Sequence, residues 1–310
     1  MAARLCRKVF IILLVSGCLL VSVQAHSADT RALIVAGLGG EDDYELQFQR
    51  HATAAADRLR EVTDDVTLLL GEAADREAVQ AALGEMVQRV RAEDTLVFMF
   101  VGHGSYDGER FRFNVPGADF TAQELALWLE SARASHQLIV VTGSSSGAVL
   151  EPLEREGRTL ITATRSGEER NATVFGGFFS AALEDDAADI DKDGTITARE
   201  AFHYAADRVD QFYAGQNEMA TEHPQSAGPE PVMVLARLTT ALRFDPALAH
   251  LYNRREALEL DIAALTTDKA NYSPDDYFAE LQRLLLDLAA VENQLTSPVP
   301  ADSAGQETTP

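Results

Sequence analysis

The stretch Leu96-Val97-Phe98-Met99-Phe100-Val101-Gly102-His103-Gly104-Ser105 carries six apolar residues in a row before a Gly-His-Gly turn. An uninterrupted apolar run of this length, without polar alternation, is the pattern of a strand covered on both faces, as in the middle of a parallel sheet. The turn then leaves one titratable side chain, His103, at the end of a buried strand. A second stretch repeats the arrangement, with Leu138 to Val141 running into Thr142-Gly143-Ser144-Ser145-Ser146-Gly147. Glycine in both turns permits backbones to approach closely. In open α/β sheets ligands bind beyond the carboxyl ends of the strands, so both turns are expected at one site.

Outward from these strands the chain alternates strands and amphipathic helices. Ala32 to Ala36, Val66 to Leu70 and Thr159 to Ala163 read as further strands. Helical spacing appears through Phe48, Ala52, Ala55, Ala56 and Leu59, through Val79, Leu83, Val87 and Val90, and from Thr173 to Leu183. Thr121 with Glu124 forms a capping-box signal ahead of a helix expected to run to Ala134. This order, with right-handed crossovers, gives an α/β fold: a three-layer α/β/α sandwich with a mostly parallel sheet. Beyond Pro231 the α/β pattern stops, and 244–296 reads as an α-helical hairpin joined near Asn271-Tyr272. Ser273 is placed as N-cap of its second helix, with Pro274 at the first position and Asp275 and Asp276 in the first turn. The hairpin either packs back on the main domain or receives a partner helix. Residues 297–310, rich in Pro, Ser, Gly and Thr, read as a disordered tail.

The segment from Arg31 to about Ala236 resembles the caspase/legumain-like cysteine peptidases of clan CD, including exported bacterial members. The likeness rests on the apolar strand ending in His103-Gly104 and on the second strand ending at Ser144 and Gly147. It implies that His103 is the catalytic histidine and that Ser144 stands where the family has its nucleophilic cysteine. Thr142 replaces the family's aspartate. Phe111-Arg112-Phe113-Asn114-Val115-Pro116-Gly117 and Phe120 to Leu125 look like a bacterial branch of this fold. The loop Thr164 to Asn171, with Arg165 and Glu168, corresponds to a rim of the substrate pocket and equally reads as a solvated loop.

The only cysteines of the chain, Cys6 and Cys18, lie in its N-terminal apolar leader. A thiol holds a few per cent thiolate near neutrality, whereas a serine needs an adjacent, oriented base. The expectation is therefore a catalytically inactive pseudopeptidase serving as a binding or scaffold module for a protein or peptide ligand. The alternative is a Ser144/His103 hydrolase, which requires His103 within hydrogen-bond reach and a third group to orient it. No such orienting group is evident in the sequence; Asp107 lies on the exiting loop.

Asp189-Ile190-Asp191-Lys192-Asp193-Gly194-Thr195-Ile196-Thr197-Ala198-Arg199-Glu200 fits the twelve-residue EF-hand loop position by position. Asp189, Asp191 and Asp193 supply oxygens at positions 1, 3 and 5, and Gly194 makes the turn at 6. Thr195 offers its carbonyl at 7, Thr197 serves at 9, and Glu200 is the bidentate ligand at 12. One Ca²⁺ is expected there, with an acidic surface turn as the alternative.

Arg4, Arg7 and Lys8 precede an apolar run from Val9 to Val23, and Val23-Gln24-Ala25 offers small residues for cleavage, so residues 1–25 read as a signal peptide. The expected location is periplasmic or secreted, with lipid anchoring at Cys18 as the alternative. No later segment is apolar enough to span a membrane. The net charge of −23 falls to −26 without that leader, which excludes nucleic acid as a partner. Gly37-Leu38-Gly39-Gly40 departs from the dinucleotide fingerprint at Asp42, and Glu41, Asp42 and Asp43 repel phosphate. His51, His136, His203, His223 and His250 show no metal-ligand spacing.

Overall fold

The computed structural model describes residues 28–238 and 249–296. The leader with Cys6 and Cys18 and the tail 297–310 lie outside the described residues. In chain order the elements are β1 (Thr30–Ala36), α1 (Asp42–Leu59), β2 (Val66–Leu69), α2 (Arg76–Arg89), β3 (Thr95–Val101), β4 (Gly104–Tyr106), β5 (Phe111–Phe113) and β6 (Phe120–Thr121). Then come α3 (Ala122–Trp128), β7 (His136–Val141), α4 (Leu150–Leu153), β8 (Arg158–Thr162), α5 (Phe175–Ala182), β9 (Thr195–Thr197) and α6 (Ala198–Gln216). The chain closes with β10 (Gln225–Ala227), β11 (Val234–Arg237), α7 (Ala249–Thr267) and α8 (Pro274–Thr296).

Six strands form the central sheet in the order β10-β8-β7-β3-β1-β2. All pairs are parallel except that of β10 with β8 at the edge. The apolar runs are buried on both faces because successive side chains enter opposite layers. Ile34, Val97, Met99, Leu138 and Val140 join the core under α1, α5 and α6. Leu33, Phe98, Phe100, Ile139 and Val141 join the core under α2, α3 and α4. The chain moves from β1 to β2 on one side and returns to β3 on the other, which puts the switch point between β1 and β3.

Three local differences from expectation have physical causes. The helix expected to run to Ala134 stops at Trp128. Its capping box is present at Thr121 and Glu124, but Arg155 donates to the carbonyls of Leu129, Glu130 and Ala132, satisfying groups that a longer helix would bond internally. The stretch after Pro231 is not purely helical: β11 pairs antiparallel with β9, inside the acidic loop. A small antiparallel sheet, β4-β5-β6, stands on the exit from β3.

The two C-terminal helices pack on each other through Leu251, Leu258 and Leu265 against Tyr277, Leu284 and Val291. Ser273 caps α8, its hydroxyl accepting the Asp276 N–H at 3.2 Å. Leu260 of α7 belongs to the core of the main domain, and Glu256 accepts the Val234 N–H at 3.2 Å. No helix among the described residues is long and apolar enough to cross a membrane.

Glycines close the carboxyl end of the sheet. A Cβ on Gly143 would lie 2.1 Å from the Gly102 carbonyl oxygen, and one on Gly104 would lie 2.5 Å from the Ser144 carbonyl oxygen. Both obstacles are backbone and have little room to yield. Gly143→Ala is therefore expected to cost on the order of 3 kcal/mol of stability through overpacking, read by urea unfolding. A loss below about 0.5 kcal/mol, the ordinary range of surface changes, would contradict this tight approach.

Candidate functional site

His103 follows β3, and its carbonyl accepts the Asn114 N–H at 3.1 Å. Its ring lies edge-on to Tyr44 and Phe48 of α1, with centroid distances of 4.9 and 4.8 Å. Burial among these aromatics lowers its pKa from the usual 6.5, and the nearby Glu41 carboxylate opposes that shift. Neither ring nitrogen has a hydrogen-bond partner among the described residues.

Ser144 leaves the neighbouring strand β7 and keeps only 5% of its surface exposed. Its hydroxyl has no hydrogen-bond partner among the described residues either. The register of β3 with β7, Phe100 opposite Val141, brings both residues to one end of adjacent strands. They are neighbours in the fold without a hydrogen bond joining them.

The residues around Ser144 hold the turn. Ser145 adopts a left-handed conformation, φ 59° and ψ 10°; its N–H donates to the Glu169 carbonyl at 2.8 Å, while its buried hydroxyl has no partner. Ser146 Oγ accepts the N–H groups of Ala163 and Thr164 at 3.0 and 3.2 Å, tying the turn to the end of β8. Thr173 Oγ1 donates to the Thr142 carbonyl at 2.6 Å.

Of the expected pocket rim, Arg165 and Glu168 both face solvent and are paired within their own loop. Arg165 meets Glu169 at 3.0 Å and Glu168 meets Arg170 at 2.9 Å. The loop is nevertheless pressed onto the serine turn, because a Cβ on Gly147 would lie 2.2 Å from Ser166 N.

The pairings of Glu169, Glu222 and His223 at this end of the molecule escaped the sequence reading. Glu169 Oε2 accepts the N–H groups of Arg165 and His223 at 2.9 and 3.2 Å, and its Oε1 lies 2.6 Å from His223 Nδ1. Glu222 accepts the N–H groups of Val174 and Phe175 at 2.7 and 3.1 Å, which caps α5 with a carboxylate. Burial pushes the Glu222 pKa up despite those donors. The local clue was the Glu222-His223-Pro224 turn ahead of an edge strand, but its partners lie about fifty residues earlier in the chain.

The acidic loop stands apart from this site. Ligand atoms of Asp189, Asp191 and Asp193 lie within 4.8 Å of one another. Lys192 and Gly194 take left-handed backbone angles, φ 61° and 85°, within the turn that carries them. Partial desolvation, then the charges of Asp193, Glu200 and Asp189, push the Asp191 pKa up. Thr195 donates to Asp193, while Thr197 and Glu200 form the capping box of α6. The second Glu200 oxygen accepts the Ile190 N–H at 2.9 Å. Asp193 also meets Arg255 of α7 at 2.6 Å.

The chain was compared with known families and structures. The model of the peptidase C13 family matches residues 46–227. Among solved structures, caspase-1 from Spodoptera frugiperda aligns with a TM-score of 0.45 and 10% identity, covering 69% of this chain and 92% of that one. Protein GSU0716 from Geobacter sulfurreducens aligns with a TM-score of 0.43 and 13% identity, covering 64% of this chain and 94% of that one. No curated protein matches the sequence. The family model spans more than half of the chain, over the sheet that carries His103 and Ser144: this protein belongs to the peptidase C13 family and has the caspase/legumain-like α/β fold.

Proposed function

We propose that this protein is an exported bacterial member of the family that holds a peptide segment at the His103–Ser144 end of the sheet without cleaving it, as a binding or scaffold module of the cell envelope. The observation that carries this is the unpartnered histidine: His103 is desolvated between Tyr44 and Phe48 and bonds neither to Ser144 nor to an orienting carboxylate among the described residues. A serine nucleophile needs both connections. Cysteine occurs only at positions 6 and 18, so Ser144 takes the place of the family's thiol in this reading. The leader at 1–25 supports export.

In the same reading the acidic loop binds one Ca²⁺. The all-oxygen donor set suits a hard cation, with the carboxylates of Asp189, Asp191, Asp193 and Glu200, the Thr195 carbonyl, and Thr197 directly or through water. Its role is structural, because the loop carries β9 and the start of α6.

A broad fluorogenic peptide library is expected to show no turnover above that of a His103→Ala/Ser144→Ala double variant, with or without Ca²⁺. Turnover lost in Ser144→Ala alone would replace the binding module with a serine hydrolase. By NMR, His103 is expected to titrate below 6.5, and Glu41→Gln to lower it further, since that carboxylate favours the imidazolium. The folded pKa lies below the unfolded one, so the unfolded chain takes up the proton first, and stability falls as pH drops from about 6.5 toward the folded value. A His103 pKa above 6.5 would reveal a carboxylate partner and sink the unpartnered assignment. Calorimetry is expected to find one Ca²⁺ with a Kd on the order of 10⁻⁴–10⁻³ M, abolished by Asp191→Asn. Absence of heat and of thermal stabilisation up to about 10 mM Ca²⁺, a concentration well above that range, would remove the metal.

A further inference from the structure

At the end of the sheet opposite His103 and Ser144, α7 crosses the amino ends of β1, β3 and β7 without closing onto them. A cavity of about 910 Å³ remains beneath the helix. Thr30, Thr63, Thr95 and Ser135 belong to its lining on the domain side. Across from them stand His250, Asn253, Arg254, Ala257 and Asp261, spaced by three and four residues on one face of α7. The opposite face of the helix sends Leu251, Leu258 and Leu265 to α8. A helix apolar toward one neighbour and largely polar toward the other leaves space that neither core fills, and a volume of this size suits a small ligand.

The charge of the lining selects that ligand. Five carboxylates, of Asp29, Asp64, Glu93, Glu256 and Asp261, line the space with a single arginine, Arg254. Asp29 and Glu93 are already held by Arg91 at 3.1 and 3.5 Å. Asp64 has no ion pair or hydrogen bond among the described residues. Asp261 meets His136 at 3.8 Å, an ion pair only when the imidazole is protonated. Glu256 accepts the Val234 N–H, and burial pushes its pKa up even with Arg237 and Arg255 nearby. Between these acids the lining is apolar at Val62, Ala257 and Leu260. Carboxylates separated by aliphatic surface match a ligand whose ammonium groups are separated by methylenes.

We propose that this cavity binds a linear diamine or polyamine, its ammonium groups meeting Asp64 and Asp261 and its methylenes lying on Val62, Ala257 and Leu260. The site is independent of the peptide cleft, which lies at the other end of the same strands. A neutral polyol would leave Asp64 and Asp261 uncompensated, and an anion is repelled by a chain of net charge −23.

Isothermal titration of the full chain with spermidine and putrescine, at about 150 mM salt to screen diffuse attraction, tests this, with 1,4-butanediol as the uncharged control. Saturable one-site binding of spermidine is expected, weakened roughly tenfold by Asp64→Asn and by Asp261→Asn, with no binding of the diol. Both positions are exposed, Asp261 with 51% of its side chain, so neither change threatens the fold. Asp191→Asn in the acidic loop is expected to leave spermidine affinity unchanged. No saturation below about 10 mM, where affinity would be weaker than about 3 kcal/mol, overturns the proposal. Equal affinity in every variant does the same by showing diffuse attraction, and loss in Asp191→Asn alone does so by moving the amine to the acidic loop.

Discussion

The contact between Gly143 and the Gly102 carbonyl oxygen is the constraint on which the rest of the site depends. Neighbouring strands run about 4.8 Å apart, and two turns continuing from β3 and β7 remain stacked at that spacing only where side chains are absent. The stack passes outward from there. Gly147 lets the loop after β8 lie on the serine turn, and Gly167 of that loop lies against the Tyr106 ring, since a Cβ there would be 2.5 Å from it. Gly37, at the end of β1, completes the series against Phe113 and Asn114. One edge of the molecule is thus built from backbone laid on backbone, and His103 and Ser144 are carried into adjacent positions by that packing.

Hydrogen bonding at this edge is divided unevenly. Ser146, Glu169, Glu222 and Thr173 hold the turns and loops through nearly all of their polar atoms. His103 and Ser144 hold none through their side chains among the described residues. Ser145 goes further, combining a left-handed backbone with a buried hydroxyl that has no partner among the described residues. Each feature costs on the order of 1–3 kcal/mol, and the surrounding turn is over-determined enough to hold it. The turns that carry His103 and Ser144 are therefore tightly held, while no hydrogen bond joins those two side chains among the described residues.

The sheet was legible because its signal is local. The six-residue run ending at Val101 and the run ending at Val141 announce buried parallel strands without reference to any partner, and the box at Thr121 announces a helix start in the same way. Positive φ at Gly194 follows from the loop motif itself. The length of α3 was not legible, because the arginine that takes its last carbonyls lies more than twenty residues further along. Nor was the Glu169–His223 pair, 54 residues apart, or the Arg255–Asp193 pair, 62 residues apart. An ion pair between distant segments leaves no periodicity in either, so composition and spacing cannot disclose it.

The same distinction separates the two ends of the molecule. The carboxyl end of the sheet is fixed by steric exclusion, whereas α7 is fixed to the domain largely by charge. Leu260 is its apolar contribution to the main core, while Arg255 reaches Asp193 and lies near Glu259 and Glu292. Burial raises Glu259 to about 7 despite the opposing arginine, which is the signature of a joint whose desolvation cost exceeds its attraction. Such joints add orientation more than stability. A purely apolar seam would have let α7 slide until it sealed the amino ends of the strands; ionic contacts at discrete positions hold it in one register. The unfilled space beneath the helix is the geometric consequence of that register, and Asp193, at the acidic loop, is one of the points where the C-terminal helices and the family domain are joined.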